Sequence, residues 1–135
     1  MPIVVGTSQI KCHSYLFTVD FGSGPVAVQK CGEIYATSER TRLTIERGLS
    51  HCRLFSDLYA AEMKREAAPR AVPRLTGLPV SIVQMNRLRE ALVTYSLSDA
   101  HVVAYSVGPW NNEESNFTME RLVIEYAGFR RGRED

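Results

Sequence analysis

Hydrophobic and polar residues alternate with a two-residue period through several stretches of this chain, the spacing that puts successive side chains on opposite faces of a strand. From Ser14 to Asp20, Tyr15, Phe17 and Val19 share one side, and Leu16, Thr18 and Asp20 the other. The run Phe21-Gly22-Ser23-Gly24-Pro25 breaks this strand, and Val26 and Val28 restart it. After an interruption centred on Gly32, the segment Arg40–Glu46 sets Leu43 and Ile45 against Arg42, Thr44 and Glu46, which predicts a strand with one wet face ending at Arg47-Gly48. Ser50 is placed to cap a helix, because Leu54, Phe55, Leu58, Tyr59 and Met63 recur at helical spacing as far as about Glu66.

Pro69, Pro73, Gly77 and Pro79 exclude a continuous helix or a central strand over 67–79 and predict a surface loop. Val80–Met85 alternates up to a turn at Asn86-Arg87. The segment from Ala91 to Val107 predicts two strands divided near Asp99, and 117–127 predicts one long strand after a Gly108-Pro109-Trp110-Asn111-Asn112 break. Six or seven strands and one helix, mostly joined by short turns, predict a mainly β fold: an antiparallel barrel or sandwich with the helix packed outside.

With 135 residues, 44% of them apolar and 23% charged, the chain is an ordinary globular one, expected to form one domain over 1–135 with 1–13 and 130–135 as terminal arms. The net charge of +1 argues against a whole-molecule field that attracts nucleic acid or anionic membrane. No uncharged apolar run approaches the length of a membrane span, and residues 1–13 lack the pattern of a signal peptide. Synthesis in the cytoplasm, without membrane insertion, is therefore the expectation, and Cys12, Cys31 and Cys52 are expected as free thiols.

Catalytic chemistry finds little support. Cys12, His13, Cys31, His51 and Cys52 lack the knuckle spacing of a zinc site, and adjacent strand residues cannot both reach one ion. Ser98, Asp99 and His101 have no nucleophile elbow beside them, and no phosphate-binding or dinucleotide-binding motif occurs. No enzyme, cofactor or metal is expected. Tyr95, Tyr105, Trp110, Phe117 and Tyr126 leave open a monomeric β-barrel binding module for single-stranded nucleic acid, although Tyr126 shares its face with Leu122 and Ile124 as a core residue would.

The order of segments carries more information than any single motif. A strand ending in Phe17-Thr18-Val19-Asp20 is followed by Leu43-Thr44-Ile45-Glu46-Arg47-Gly48-Leu49, which runs into a helix bearing Phe55 and Tyr59. Then come Val80-Ser81-Ile82, Ala100-His101-Val102-Val103, Gly108-Pro109 and a final Met119-Glu120-Arg121-Leu122-Val123-Ile124-Glu125-Tyr126-Ala127-Gly128-Phe129. From Tyr15 to Phe129 this resembles the tail tube protein family of contractile phage tails and contractile injection systems, kin in fold to the Hcp tube.

The resemblance implies a structural subunit that forms hexameric rings, which stack into the inner conduit of a virion tail or injection particle. It also implies a surrounding sheath, baseplate or hub and terminator proteins as partners, and DNA or protein cargo in the channel. In that setting Arg42, Thr44, Glu46, Arg121 and Glu125 form the polar strand face toward the lumen or a neighbouring subunit, and Glu33, Arg70, Arg74 and Trp110 mark candidate ring-stacking loops. The family's long arm before the Arg-Gly strand has little room between Gly32 and Glu39, which motivates an alternative role as an initiator or terminator ring.

Overall fold

The computed structural model describes residues 16–66, 77–112 and 118–133. Eight strands and one helix follow in the order β1 (Leu16–Asp20), β2 (Pro25–Val26), β3 (Lys30–Cys31), β4 (Thr41–Gly48), α1 (Leu54–Glu66), β5 (Leu78–Met85), β6 (Ala91–Val107), β7 (Met119–Tyr126) and β8 (Gly128–Arg133). All strand pairings are antiparallel. The path β2-β1-β5-β6-β7-β4-β3, with β8 also on β6, does not return to its start, so among the described residues the sheet stays open.

The corner of the fold lies in β6. Ala91–Val107 is one bent strand rather than two: its first half pairs with β5 and β8, its second half with β7. Asp99 makes the bend at φ 51°, a left-handed conformation that aspartate tolerates better than most residues. Across from it β7 passes into β8 at Ala127, whose N–H donates to the Ser98 carbonyl at 2.8 Å. A long two-stranded ribbon therefore folds at one place and carries the chain from a first sheet (β2-β1-β5-β6-β8) to a second (β6-β7-β4-β3). Gly77 lies against the same bend, where an added Cβ would stand 2.6 Å from the Ala100 carbonyl oxygen.

Three further sequence expectations need correction. Arg130–Arg133 forms the end of β8 rather than a loose arm, because its backbone pairs with Val93–Ser96 of β6. Pro79 lies within β5, between two other strands, at a register shift between Leu78 and Val80 that spares the ladder its missing N–H. The helix begins at Leu54, since its first bond runs from the Asp57 N–H to the Arg53 carbonyl, and Ser50 instead accepts the Cys52 N–H in the preceding turn.

The two sheets and α1 enclose Val19, Leu43, Ile45, Phe55, Val80, Val102, Leu122, Ile124 and Tyr126, all essentially inaccessible to solvent. Phe55 of α1 meets the Phe21 ring edge-on at 5.9 Å, which fixes the helix against the first sheet as well as the second.

One charged pair is buried with them. Arg47 and Glu120 sit opposite each other in the β4–β7 register, with the Arg47 Nε–H donating to Glu120 Oε2 at 2.6 Å and side-chain exposures of 8% and 1%. The Tyr105 hydroxyl donates to the other Glu120 oxygen at 2.9 Å, and Arg47 lies over the Phe55 ring 4.2 Å from its centroid while donating to the Cys52 carbonyl. Each member is paired, as burial of charge demands. Burial, and then the Glu120 carboxylate, push the Tyr105 hydroxyl above its ordinary titration range.

Candidate functional site

The outward face of the second sheet assembles five residues singled out in the sequence. In the β4–β7 register Glu46 faces Arg121, Thr44 faces Val123 and Arg42 faces Glu125, all pointing away from the core because Leu43, Ile45, Leu122 and Ile124 take the alternate positions. The charges neutralise one another in rows. Arg121 donates from Nε to Glu46 Oε1 at 2.8 Å and from Nη1 to the Gly108 carbonyl at 2.7 Å, and Lys30 of β3 is opposite Glu46 on its other side. Arg42 Nε lies 3.6 Å from Glu125 Oε2. Alternating-sign cross-strand pairs of this kind give a polar surface with little net field, bordered by the threonine, valine and alanine of the middle row.

The corner adds a second charged cluster that the sequence did not announce. Arg40 donates from Nε to Glu125 Oε1 (2.9 Å) and from Nη1 to Asp99 Oδ2 (2.8 Å). Asp99 in turn contacts His101 Nε2 at 2.9 Å, and His101 Nδ1 lies 3.4 Å from Glu62 Oε1 of α1. Hydrogen bonds from His101, then Arg40, hold the Asp99 carboxyl below the usual aspartate range. Glu62 is buried and accepts the Val102 N–H at 3.1 Å, so the helix caps one backbone group on the outer side of β6.

Residues meant for ring contacts are scattered. Glu33 is exposed on the connection between β3 and β4, and that connection lies back on its own chain: the Tyr35 N–H donates to the Tyr126 hydroxyl at 2.6 Å and Arg40 clamps its far end. Trp110 is 71% exposed beyond the end of β6. Arg70 and Arg74 lie outside the described residues, as does Phe117. The aromatic side chains make no common platform: Tyr126 is core, Tyr105 is tied to Glu120, and Tyr95 packs edge-on against Phe129 at 5.8 Å.

Among the described residues no three His, Cys, Asp or Glu side chains converge as metal ligands, and no helix is long and apolar enough to cross a membrane. Cys31 is largely buried, which raises its thiol to about 11, whereas the exposed Cys52 is lowered by the Leu54 backbone N–H and by Arg47.

The sheet's own borders are the other feature of the site. The Gly108 N–H donates to the Met119 carbonyl at 2.9 Å, so Gly108 and Met119 are a hydrogen-bonded pair, and by alternation the backbone groups of Val107 and Tyr105 face away from β7. No described strand pairs with β6 there. At the opposite border of the second sheet stands the two-residue β3, extended by bonds from Gln29 and Gly32 to β4.

No family model matches this sequence, and no curated protein matches it. Solved structures do. A chain of the PVC sheath–tube complex of an extracellular contractile injection system, in its extended state, superposes with a TM-score of 0.73 at 12% identity, covering 95% of this chain and 94% of that one. A chain from the tube-terminating cap of the anti-feeding prophage gives 0.69 at 12% identity over 95% of both, and Hcp1 from Flavobacterium johnsoniae gives 0.60 at 11% identity over 88% and 96%. The fold of the described residues, an open antiparallel sheet with a corner strand and the helix α1, is thus that of the tube-type proteins of contractile injection systems.

Proposed function

We propose that this protein is a non-enzymatic structural subunit that forms hexameric rings, stacked as the inner conduit of a contractile phage tail or injection system. The observation that carries the reading is the second sheet, open at two different borders. Joining unlike edges head to tail generates a closed ring when the rotation between copies allows it, and pairing the free side of β6 with β3 of the next copy removes both exposed ladders. The Arg42, Thr44, Glu46, Arg121 and Glu125 face then lines the channel or a subunit boundary, and its internal ion pairing suits a surface past which DNA or protein cargo must slide without sticking.

Similar solved structures come from a sheath–tube complex, a 6-fold symmetrised baseplate and a tube-terminating cap, which supports sheath, baseplate and terminator proteins as partners of this chain. Synthesis in the bacterial cytoplasm followed by assembly into the particle completes the reading, with 1–135 acting as one domain.

A second role within the same machine, an initiator or terminator ring, is favoured by the Gly32–Arg40 connection, which Tyr126 and Arg40 hold against its own subunit instead of leaving it to reach another ring. Negative-stain images and sedimentation of the purified full chain at high concentration test both. Rings with six-fold symmetry support the proposal, long stacks assign the main tube and isolated rings the end role. A strictly monomeric protein, alone and with its sheath and baseplate partners, would overturn it.

A further inference from the structure

Two rigid, exposed apolar groups stand at opposite ends of β6. At its start, the turn between β5 and β6 is locked by Asn86: its Oδ1 accepts the N–H groups of Leu88 (2.9 Å) and Glu90 (3.0 Å), and its backbone N–H and carbonyl bond Glu90 and Arg89 at 3.0 Å. Arg89 takes a left-handed φ of 65° to close the turn. This presents Leu88, 78% exposed, between the exposed Arg87 and Arg89.

At the other end Gly108 holds φ +120° and lies under the Trp110 ring, so closely that a Cβ there would be 3.1 Å from Cζ3. Its N–H is fixed to Met119 and its carbonyl to Arg121. Trp110 is therefore an indole seated on an anchored backbone and 71% exposed, and the half-exposed Leu49 continues from the neighbouring β4, its N–H bonded to Thr118.

The two groups complement each other. An exposed indole accepts an aliphatic side chain and attracts flanking guanidinium groups, and both partners are already ordered, which lowers the entropic cost of contact. The 17 residues of β6 separate them, and both remain exposed, so within one chain neither covers the other. Unlike surfaces on one molecule that satisfy each other between molecules make a head-to-tail contact that propagates as an open stack.

We propose that the Leu88 turn, with Arg87 and Arg89, docks on Trp110 of a second copy of this chain in the adjacent ring. This rests on the stacked-ring reading above and assigns its ring-to-ring contact.

Trp110 is the only tryptophan in the sequence, so its fluorescence reports the contact directly. The test measures acrylamide quenching of the full chain across a concentration series, with electron micrographs of the same samples. Protection of Trp110 on assembly, absent in Leu88→Ser, is the expected result, with ring-to-ring association weakened about tenfold by Leu88→Ser and about 30-fold by Trp110→Ala, as for an aromatic anchor. Pre-formed rings of the two variants, mixed, should form mixed pairs more readily than either variant pairs with itself, since each retains one half of the contact. Unchanged quenching on assembly, or equal protection in Leu88→Ser, overturns the contact. Rings whose Trp110 stays fully quenchable would do so while leaving the ring reading intact, whereas Leu88-dependent protection without rings would keep the contact and remove that reading.

Discussion

Glu120→Gln keeps the shape of a buried side chain and deletes its charge. Arg47, only 8% exposed, is then left with the Cys52 carbonyl, the Phe55 ring and one neutral amide oxygen for which Tyr105 also competes. Removing one partner of a buried ion pair costs about 3–5 kcal/mol, because the remaining charge keeps its desolvation penalty and loses its compensation. The retained amide bond places this variant near the lower limit, about 3 kcal/mol, or roughly 10 °C in Tm for a domain of this size. Replacing both members, as Arg47→Met with Glu120→Leu, removes the unpaired charge altogether, and the remaining loss is then mainly the Tyr105 hydrogen bond, about 1–2 kcal/mol. Urea unfolding followed by circular dichroism, at one fixed protein concentration so that association does not shift the midpoint, measures all three proteins. A Glu120→Gln loss below about 1 kcal/mol, or a double variant as costly as Glu120→Gln or more so, would show that the pair is not the coupled buried unit described.

Gly77→Ala should destabilise by about 1–3 kcal/mol, because the new methyl meets Ala100 backbone atoms at 2.6 and 2.8 Å that the corner cannot move aside; a neutral result in the same urea assay contradicts that packing. At neutral pH a thiol reagent should label Cys52 well before Cys31, given an exposed, lowered thiol against one raised to about 11, and peptide mapping that finds Cys31 labelled first would refute the assignment. Asp99, held below its ordinary value of 3.8 by His101 and Arg40, contributes stability above that value which is lost as pH falls through its lowered folded one. Asp99→Asn, which tolerates the same left-handed φ, should flatten that part of the acid limb in pH-dependent unfolding; an unchanged slope would count against the contacts.

The alternation of β4 and β7 was legible because each strand has one wet and one dry face, and the structure puts both on the expected sides. The buried pair carried a readable signal too: Arg47 is in phase with Leu43 and Ile45, and Glu120 with Leu122 and Ile124, so each strand holds one charge of opposite sign on its apolar face. What joined them was the register, and register is not encoded in the period of either strand alone. The corner was legible in position, since the sequence divided this segment near Asp99, but not in kind: it is a bend within one strand and not a break between two. Alternation continues on both sides of Asp99, and a single left-handed residue redirects the strand without breaking its pattern. β8 was missed because two of its six residues are glycine and three are arginine, a composition that reads as a solvated tail until β6 supplies the pairing.

The borders of the sheet differ in how strongly they invite a neighbour. Short strands and cationic edges resist edge-to-edge pairing, and β2 and the arginine-bearing β8 each show one of these features, whereas β3 is lengthened along β4 by the Gln29 and Gly32 bonds. The second half of β6 shows neither: it is long and apolar, and Glu62 guards only its Val102 N–H. Val107→Pro isolates this border. The N–H it removes points away from β7, so the fold loses no ladder bond, and the extended Ser106 before it already has the backbone a proline requires. The variant should unfold within about 1 kcal/mol of the wild type, since no hydrogen bond within the chain is lost. It should nevertheless fail to close rings, because the ladder to the next copy would lack a donor and meet a pyrrolidine ring. Sedimentation showing wild-type rings for Val107→Pro would place the subunit junction at another border, with β8 next in line.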